Sequence, residues 1–294
     1  MTVDEMNAQH IRELDVLLIT GDAYFDHPSH GAAVIGRVLI KAGYRVGLIS
    51  GPDWRSVEDF MRLGRPTLFA GVTSGAVDSI VNNYTASTAK RKTDVYAPGG
   101  IGGNRPDTAA LVYASRVKEA FPKLPVVLGG VEASLRRFAY FDTLSKKIRR
   151  SILVDSRADI LVYGSGERQV LQIAEKLGRN EDLRGIPGTA YLTRDDFDIS
   201  EEKDIVLPDF DELLQAPYQL VKQTLAIEIA SRPGCSVKIR QRYAEGWVIC
   251  EPRPVISSTE LDSYFDLPFV REVHPAYKQT VPAFETVRWS TISH

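Results

Sequence analysis

The sequence predicts a doubly wound α/β fold, in which a mostly parallel five-stranded sheet is followed by a smaller α+β extension with a β-hairpin. Five short apolar runs recur in the first two thirds of the chain, and each precedes small residues and then a helical pattern. The runs are continuous rather than alternating, which is typical of strands covered by helices on both faces. The predicted strands span residues 16–19, 46–49, 68–72, 126–128 and 160–163.

Apolar residues at helical spacing lie between these strands. Val34, Val38 and Leu39 share one face of the first predicted helix, and Val170, Ala174 and Leu177 share one face of the last. Repeated strand–helix units joined by right-handed crossovers form a doubly wound sheet, for which we expect the strand order 2-1-3-4-5.

Small residues follow the carboxyl ends of four predicted strands. Ligands bind outside these ends in doubly wound sheets, and glycine lets backbone N–H groups approach a ligand closely. One such glycine would indicate only a tight turn, but four turns on one edge favour a crevice for a phosphate-bearing or large planar ligand. The candidate binding residues are Gly21, Asp22, Ser74, Gly75, Gly129, Gly130, Glu132, Gly164, Gly166 and Glu167.

The loop after the first strand, residues 21–31, is long for a strand–helix turn. Asp26 or Ser29 is suited to cap the next helix, in which case the two histidines simply occupy the loop. The alternative interpretation is that the loop contacts a ligand through hydrogen bonds. Its candidate residues, besides Gly21 and Asp22, are Asp26, His27, His30 and Gly31.

The composition of the chain argues against several classes of protein. The 294 residues carry a net charge of −2, which argues against nucleic-acid binding by bulk charge. No apolar stretch approaches the ~18 residues of a membrane helix, and the start of the chain does not resemble a secretory signal. Two cysteines, Cys235 and Cys250, are too few for a four-cysteine metal site. We expect reduced thiols in a cytoplasmic protein that binds neither membrane nor nucleic acid.

Two basic clusters bear on the expectation that the protein does not bind nucleic acid. They lie at residues 90–92 and 136–150. In the second, Leu144, Ile148 and Ile152 recur at four-residue spacing, which predicts a helix whose charges face solvent. A site for RNA, phosphate or an acidic partner is the alternative.

The last third of the chain is predicted to form the extension. Composition turns acidic from residue 195 to 211, which predicts a boundary between domains 1–197 and 198–294. A helix with Tyr218, Val221, Leu225 and Ile229 on one face is followed by a hairpin of residues 237–243 and 247–250. Residues 286–294 are predicted to form a terminal strand, either an edge strand of the extension or the start of a further domain.

Several long motifs resemble the N-terminal region of YgiQ-type radical SAM proteins. The resemblance spans essentially the whole chain. It rests on Ser74-Gly75-x-x-Asp78-Ser79-x-Val81-Asn82-x-Tyr84, Tyr96-x-Pro98-Gly99-Gly100, Arg105-Pro106-Asp107, Gly129-Gly130-Val131-Glu132-Ala133-Ser134-Leu135-Arg136-Arg137-Phe138, Arg149-Arg150-Ser151-Ile152-Leu153 and Tyr163-Gly164-x-Gly166-Glu167.

The resemblance implies a flavodoxin-like or cobalamin-binding-like α/β domain that precedes a catalytic barrel. In that family the barrel binds a 4Fe–4S cluster and S-adenosylmethionine through a Cys-x-x-x-Cys-x-x-Cys loop. This sequence contains no such loop, so no residue inherits a cluster-ligand role. We therefore expect a fragment, a truncated product or half of a split enzyme, inactive alone, whose partner is the barrel and whose substrate is unknown.

Cobalamin is a further cofactor that the resemblance suggests. Proteins that ligate its cobalt with histidine on this fold use Asp-x-His-x-x-Gly, whereas Phe25 precedes His27 by two residues and Pro28 precedes His30 by two. A cobalamin bound here is therefore expected to lack a histidine ligand from this chain.

Two other function classes remain open from the sequence. One is a self-standing binding or scaffold protein, which predicts a stable monomer or closed oligomer with Trp289 buried. The other is a nucleotide-dependent transferase that uses the glycine-rich edge, although no phosphate-binding motif supports it.

Overall fold

A nine-stranded sheet forms the centre of the computed structural model, which describes residues 2–194, 204–232 and 234–290. Its spatial order is β2-β1-β3-β4-β7-β8-β11-β10-β9. The strands are β1 (Val16–Thr20), β2 (Val46–Ser50), β3 (Phe69–Thr73), β4 (Val126–Leu128), β7 (Ile160–Val162), β8 (Thr189–Thr193), β9 (Ile205–Val206), β10 (Ile239–Tyr243) and β11 (Gly246–Cys250). A separate two-stranded ribbon pairs β5 (Tyr140–Asp142) with β6 (Lys147–Arg149).

Helices connect and cover these strands. They are α1 (Val3–Ala8), α2 (Gly31–Lys41), α3 (Glu58–Met61), α4 (Ser79–Asn83), α5 (Ala109–Ala120), α6 (Gly130–Leu135), α7 (Ile152–Ser156), α8 (Glu167–Gly178), α9 (Phe210–Gln215), α10 (Gln219–Ala230), α11 (Ser258–Phe265) and α12 (Pro282–Val287). Pro98–Gly100 adds one 3₁₀ turn.

The five predicted parallel strands are confirmed, and so is their order. Strand β1 pairs in parallel with β2 and with β3, and the ladder continues through β4 to β7. Alternate residues of β1 enter different cores: Leu17 and Ile19 pack with α5 and α7, while Val16 and Leu18 pack with α2 and α8. Burial on both faces explains why this strand reads as a continuous apolar run.

The predicted hairpin is also confirmed, as β10 and β11. It does not stand apart from the parallel strands: β11 pairs antiparallel with β8, and β8 pairs antiparallel with β7. Strands on either side of the division expected near residue 197 thus belong to one sheet. Part of the acidic run that suggested this division lies outside the described residues.

Two local predictions are wrong. Residues 144–152 do not form a helix, because Ile148 pairs with Phe141 in the β5–β6 ribbon and Lys146 turns the chain with a φ of 56°. Nor do the charges of this cluster all face solvent, since Arg136 is 5% exposed. The expected terminal strand is replaced at residues 286–290 by the end of α12 and a turn, and residues 291–294 lie outside the described part.

Residues 267–290 form a strap over the loop that follows β1. Phe25 and Val273 make an antiparallel bridge, and the Asp26 N–H donates to the Glu272 carbonyl at 2.9 Å. Val281 and Phe284 cover Ala23 and Phe25 in a small apolar cluster. The strap therefore fixes the shape of the 21–31 loop.

No helix in the described ranges 2–194, 204–232 and 234–290 combines the length and apolar character needed to cross a bilayer.

Candidate functional site

A cavity of about 360 Å³ opens at the carboxyl ends of β1, β3, β4 and β7, under the first turns of α2 and α8. This position is the switch point of the sheet, where β1 and β3 lead to helices on opposite faces. The volume lies at the lower end of the range usual for small-molecule sites. Its apolar wall consists of Leu18, Val34, Ile35, Phe69, Val127, Val162, Val170 and Phe265.

The structure brings eight of the predicted binding residues to this cavity. They are His30, Gly31, Gly75, Gly129, Gly130, Gly164, Gly166 and Glu167. The other predicted residues, Gly21, Asp22, Asp26, His27, Ser74 and Glu132, are close in sequence to the lining but are not part of it.

Asp22 is engaged by a buried arginine. The Arg105 guanidinium lies 2.6 Å from one carboxylate oxygen of Asp22 and 3.2 Å from Asp94, and the Ala76 N–H donates to the other Asp22 oxygen at 2.6 Å. Burial raises the pKa of Asp22, and the Arg105 charge opposes that shift. Both ends of this carboxylate are thus occupied within the protein, which ties the β1 and β3 loops together.

Glu132 makes a comparable structural network. It accepts hydrogen bonds at 3.0 Å from the backbone N–H groups of Ser79 and Ala110, at the first turns of α4 and α5. Arg136 lies 3.9 Å from Glu132 and forms a short ion pair with Asp78. Because Glu132 is fully buried, this network fixes three helices behind the cavity floor.

Asp26 and His27 face the strap. Asp26 is paired with Arg37, and it accepts the Val270 N–H at 2.8 Å. His27 Nδ1 lies 2.8 Å from the Ser29 hydroxyl, and its Nε2 lies 3.3 Å from the Arg271 guanidinium. These contacts stabilise the loop.

The glycines of the cavity fall into two groups. Gly75 and Gly130 have φ values of 119° and 83°, and a Cβ at either position would collide with the side chain of Asp22 or Thr73. Gly129 has an extended φ of −156°, and a Cβ added there would meet none of the described atoms within 4 Å. The fold therefore requires glycine at 75 and 130 but not at 129, where the missing side chain leaves open space beside the cavity.

His30 contributes a polar atom without a partner. Its ring is 2% exposed and its centroid lies 4.4 Å from that of Phe25, yet Nδ1 makes no hydrogen bond with the described part of the chain. Burial lowers the pKa of His30 to about 4, so the imidazole is neutral near pH 7. A neutral imidazole can donate from one nitrogen and accept at the other.

Glu167 contributes the second such atom, from the first turn of α8. Its Oε2 is buried and has no hydrogen-bond partner among residues 2–194, 204–232 and 234–290. Burial raises the pKa of Glu167, and the backbone N–H groups of Gly166 and Glu167 oppose that shift. Buried polar atoms usually find a partner, so these two favour a ligand with polar groups at its edge.

Metal-ligating side chains are not gathered at this cavity. In the described ranges, no group of three or more His, Cys, Asp or Glu side chains is arranged to hold a metal ion. Cys250 is buried, which raises its thiol pKa and disfavours the thiolate that iron requires. An iron–sulfur cluster does not fit these residues.

Comparison with known proteins gives a family match. The family model described as radical SAM N-terminal matches residues 1–290. A UPF0313 protein of Thermotoga maritima is 48% identical over 295 residues, which cover 98% of this chain and 51% of that relative. A UPF0313 protein of Methanosarcina acetivorans is 41% identical over 322 residues, which cover all of this chain and 43% of that relative. This chain thus spans about half the length of these relatives.

A solved structure with a similar arrangement is the radical S-adenosylmethionine methyltransferase TsrM of Kitasatospora setae, determined with its tryptophan substrate and an analogue of S-adenosylmethionine. It is 20% identical, with a TM-score of 0.42 over 60% of this chain and 28% of that one.

Proposed function

Because this chain belongs to the radical SAM N-terminal family, we propose that it is the ligand-binding module of a radical SAM enzyme and that its cavity receives a flat heteroaromatic group. The cluster and S-adenosylmethionine would be held by another part of the family's longer proteins. This module would supply binding and orientation rather than a reacting residue. Its two free cysteines suit a reducing compartment, the cytoplasm.

The observation that carries the proposal is the contrast between the cavity wall and its edge. The wall is formed by apolar side chains, whereas His30 and Glu167 each leave one buried polar atom unpaired there among the described residues. A purely apolar ligand would leave both atoms unsatisfied at a cost of roughly 1–3 kcal/mol each. A flat ring with polar atoms at its edge would fill the space and would pair these atoms once the two side chains turn toward it.

Gly129 supports the same ligand class. The backbone there is compatible with a side chain, and a Cβ would meet no described neighbour within 4 Å. Glycine keeps the floor low enough for a ring to lie against the backbone.

Cobalamin is the cofactor that we propose to test first, because the base at the end of its nucleotide tail is such a ring. In this arrangement the cobalt would receive no histidine from this chain. His27 is bonded to Ser29 and lies beside Arg271, while His30 is buried in the cavity wall. The nucleotide tail, and not the metal, would make the contacts with this module.

The test is titration of the purified chain with hydroxocobalamin and, separately, with free 5,6-dimethylbenzimidazole. We expect saturable binding of both by the wild type, loss of binding in Gly129→Leu, and weaker binding in His30→Ala. Gly178→Leu is the matched control, since a Cβ added at Gly178 would also meet nothing within 4 Å, but Gly178 lies at the exposed end of α8.

Binding of the free base alone would keep the ring site and reject cobalamin as the ligand. Binding that is unchanged in Gly129→Leu would place the ligand elsewhere and reject the proposal.

A further inference from the structure

We propose that the outward face of α10 is the docking surface for the C-terminal half that the longer relatives carry. This docking face consists of Tyr218, Val221, Leu225 and Ile229, which are 70%, 65%, 59% and 53% exposed. The inference rests on the proposed function in one respect, namely that the module works with a second domain of the same family.

The first step is the composition of α10. Lys222 and Glu228 are its only charged residues over twelve positions, and apolar side chains occur on both sides. On the inner side, Ala226, Ile227 and Ala230 pack against the main core. The helix therefore carries apolar side chains on its covered side and also on the docking face, which is open.

The second step is that α10 cannot rotate to bury this face. Gln223 is 3% exposed on the inner side, where its amide donates to the Ala139 carbonyl at 2.6 Å. The Gln241 side-chain amide donates to the side-chain oxygen Oε1 of Gln223 at 2.7 Å, and its own oxygen accepts a hydrogen bond from the Ala139 N–H at 2.8 Å. Rotation would break these buried hydrogen bonds, so the orientation of α10 is fixed and the docking face must find its cover outside this module.

The third step identifies the occupant. In the Thermotoga maritima and Methanosarcina acetivorans relatives, the region matched by this chain is only 51% and 43% of the protein. A domain tethered in the same polypeptide has a high effective concentration, so it reaches an apolar face before a second molecule does. Large exposed apolar patches mark such interfaces.

The fourth step is the position of α10 relative to the cavity. The Arg253 guanidinium donates to the Ser231 carbonyl, just after α10, at 2.9 Å. The same side chain occupies the space into which a Cβ at Gly164 would project, and Gly164 lines the cavity. The end of α10 is thus one arginine side chain away from the cavity rim, and we expect a domain seated on the docking face to extend to the cavity mouth, where a bound ligand would be presented to it.

The experiment uses the full-length Thermotoga maritima relative with the photo-crosslinker benzoylphenylalanine at the position aligned with Leu225. The matched control carries it at the position aligned with Ile40, an apolar residue that is 52% exposed near the opposite end of α2 from the cavity. We expect irradiation to join the Leu225 position to peptides of the C-terminal half, and the Ile40 position to join none of them.

Crosslinks from the Leu225 position to a second copy would overturn the proposal in favour of self-association. Crosslinks only within the N-terminal half, or equal yields at both positions, would also overturn it. The Val221 position provides an independent repeat if the first variant does not fold. Titration of the unmodified relative with hydroxocobalamin and with free 5,6-dimethylbenzimidazole separates the two proposals, since docking without binding of either ligand refutes only the proposed function.

Discussion

The Nε2 atom of His30 lies 3.9 Å from a carboxylate oxygen of Asp22, and neither side chain is more than 2% exposed. This distance is too long for a hydrogen bond. The Asp22 carboxylate is instead bound by Arg105 at 2.6 Å and by the Ala76 N–H. The imidazole is therefore close to an anion that is already neutralised. Its charged form gains little from Asp22, and burial keeps it neutral.

Acidification should destabilise the fold through His30. Burial lowers the folded-state pKa from 6.5 to about 4, so the unfolded chain binds a proton first as the pH falls. The free energy of unfolding therefore keeps its full contribution from neutral His30 above pH 6.5 and loses it as the pH falls from 6.5 to 4. Linkage gives a loss of about 2 kcal/mol between pH 7.5 and 5.

Urea unfolding of the wild type and His30→Gln at both pH values measures this loss. We expect the pH dependence of the variant to be smaller by that amount, with the exposed His10→Gln as control. Equal pH dependence in wild type and His30→Gln would mean that His30 ionises in the folded state.

Removal of Arg105 should be among the most damaging single substitutions. Arg105→Met leaves Asp22 and Asp94 buried without their cation, which costs about 3–5 kcal/mol in comparable buried pairs. Arg55→Met is the control, since Arg55 pairs with Asp53 at an exposed site where the loss of the ion pair should change stability little. Urea unfolding distinguishes them, and Asp22→Asn in the Arg105→Met background should recover part of the loss. Similar losses in the two arginine variants would contradict the assignment of Arg105 to a buried network.

The parallel half of the fold was predictable because local sequence encodes it. Strand β1 is apolar from Val16 to Ile19, and both of its faces are covered. Strand β8 was not predicted, since its antiparallel pairing with β7 and β11 depends on contacts distant in sequence. The helix α12 could have been found, because Pro282 in its first turn is a recognised start signal.

The cavity was predicted in position but only partly in composition. Glycine-rich turns at the strand ends mark the edge of a parallel sheet, so Gly129 and Gly164 could be placed there from sequence. Sequence cannot tell which distant groups meet: Asp22 is paired by Arg105, and Glu132 accepts hydrogen bonds from the backbone of Ser79 and Ala110. Phe265, from a helix about a hundred residues after the last parallel strand, gave no local signal.

The glycines should separate into structural and permissive positions. Gly75→Ala forces a φ of 119° on alanine and a collision with Asp22, so we expect a loss of more than about 2 kcal/mol. Gly129→Ala has an allowed φ and open space, and reduced freedom of the unfolded chain should leave stability equal or raise it by about 0.4–1 kcal/mol. Urea unfolding of both variants provides the comparison. If Gly129→Ala destabilised the protein, the fold itself would require glycine at this position.

Substitutions at the inner contact of α10 and on its outward face should differ in their effect on stability. Gln241→Leu removes partners of four buried or half-buried polar groups, namely the Ala139 N–H, the Gln223 side chain, the Pro208 carbonyl and the Tyr243 hydroxyl. Because each unsatisfied buried group costs roughly 1–3 kcal/mol, we expect a loss of at least about 2 kcal/mol. Leu225→Gln changes a side chain that is 59% exposed, and its effect in this chain should stay within about 0.5 kcal/mol. Urea unfolding of this chain tests both. A large loss in Leu225→Gln would show that the outward face of α10 is already buried within this module, and it would then have no surface to offer a second domain.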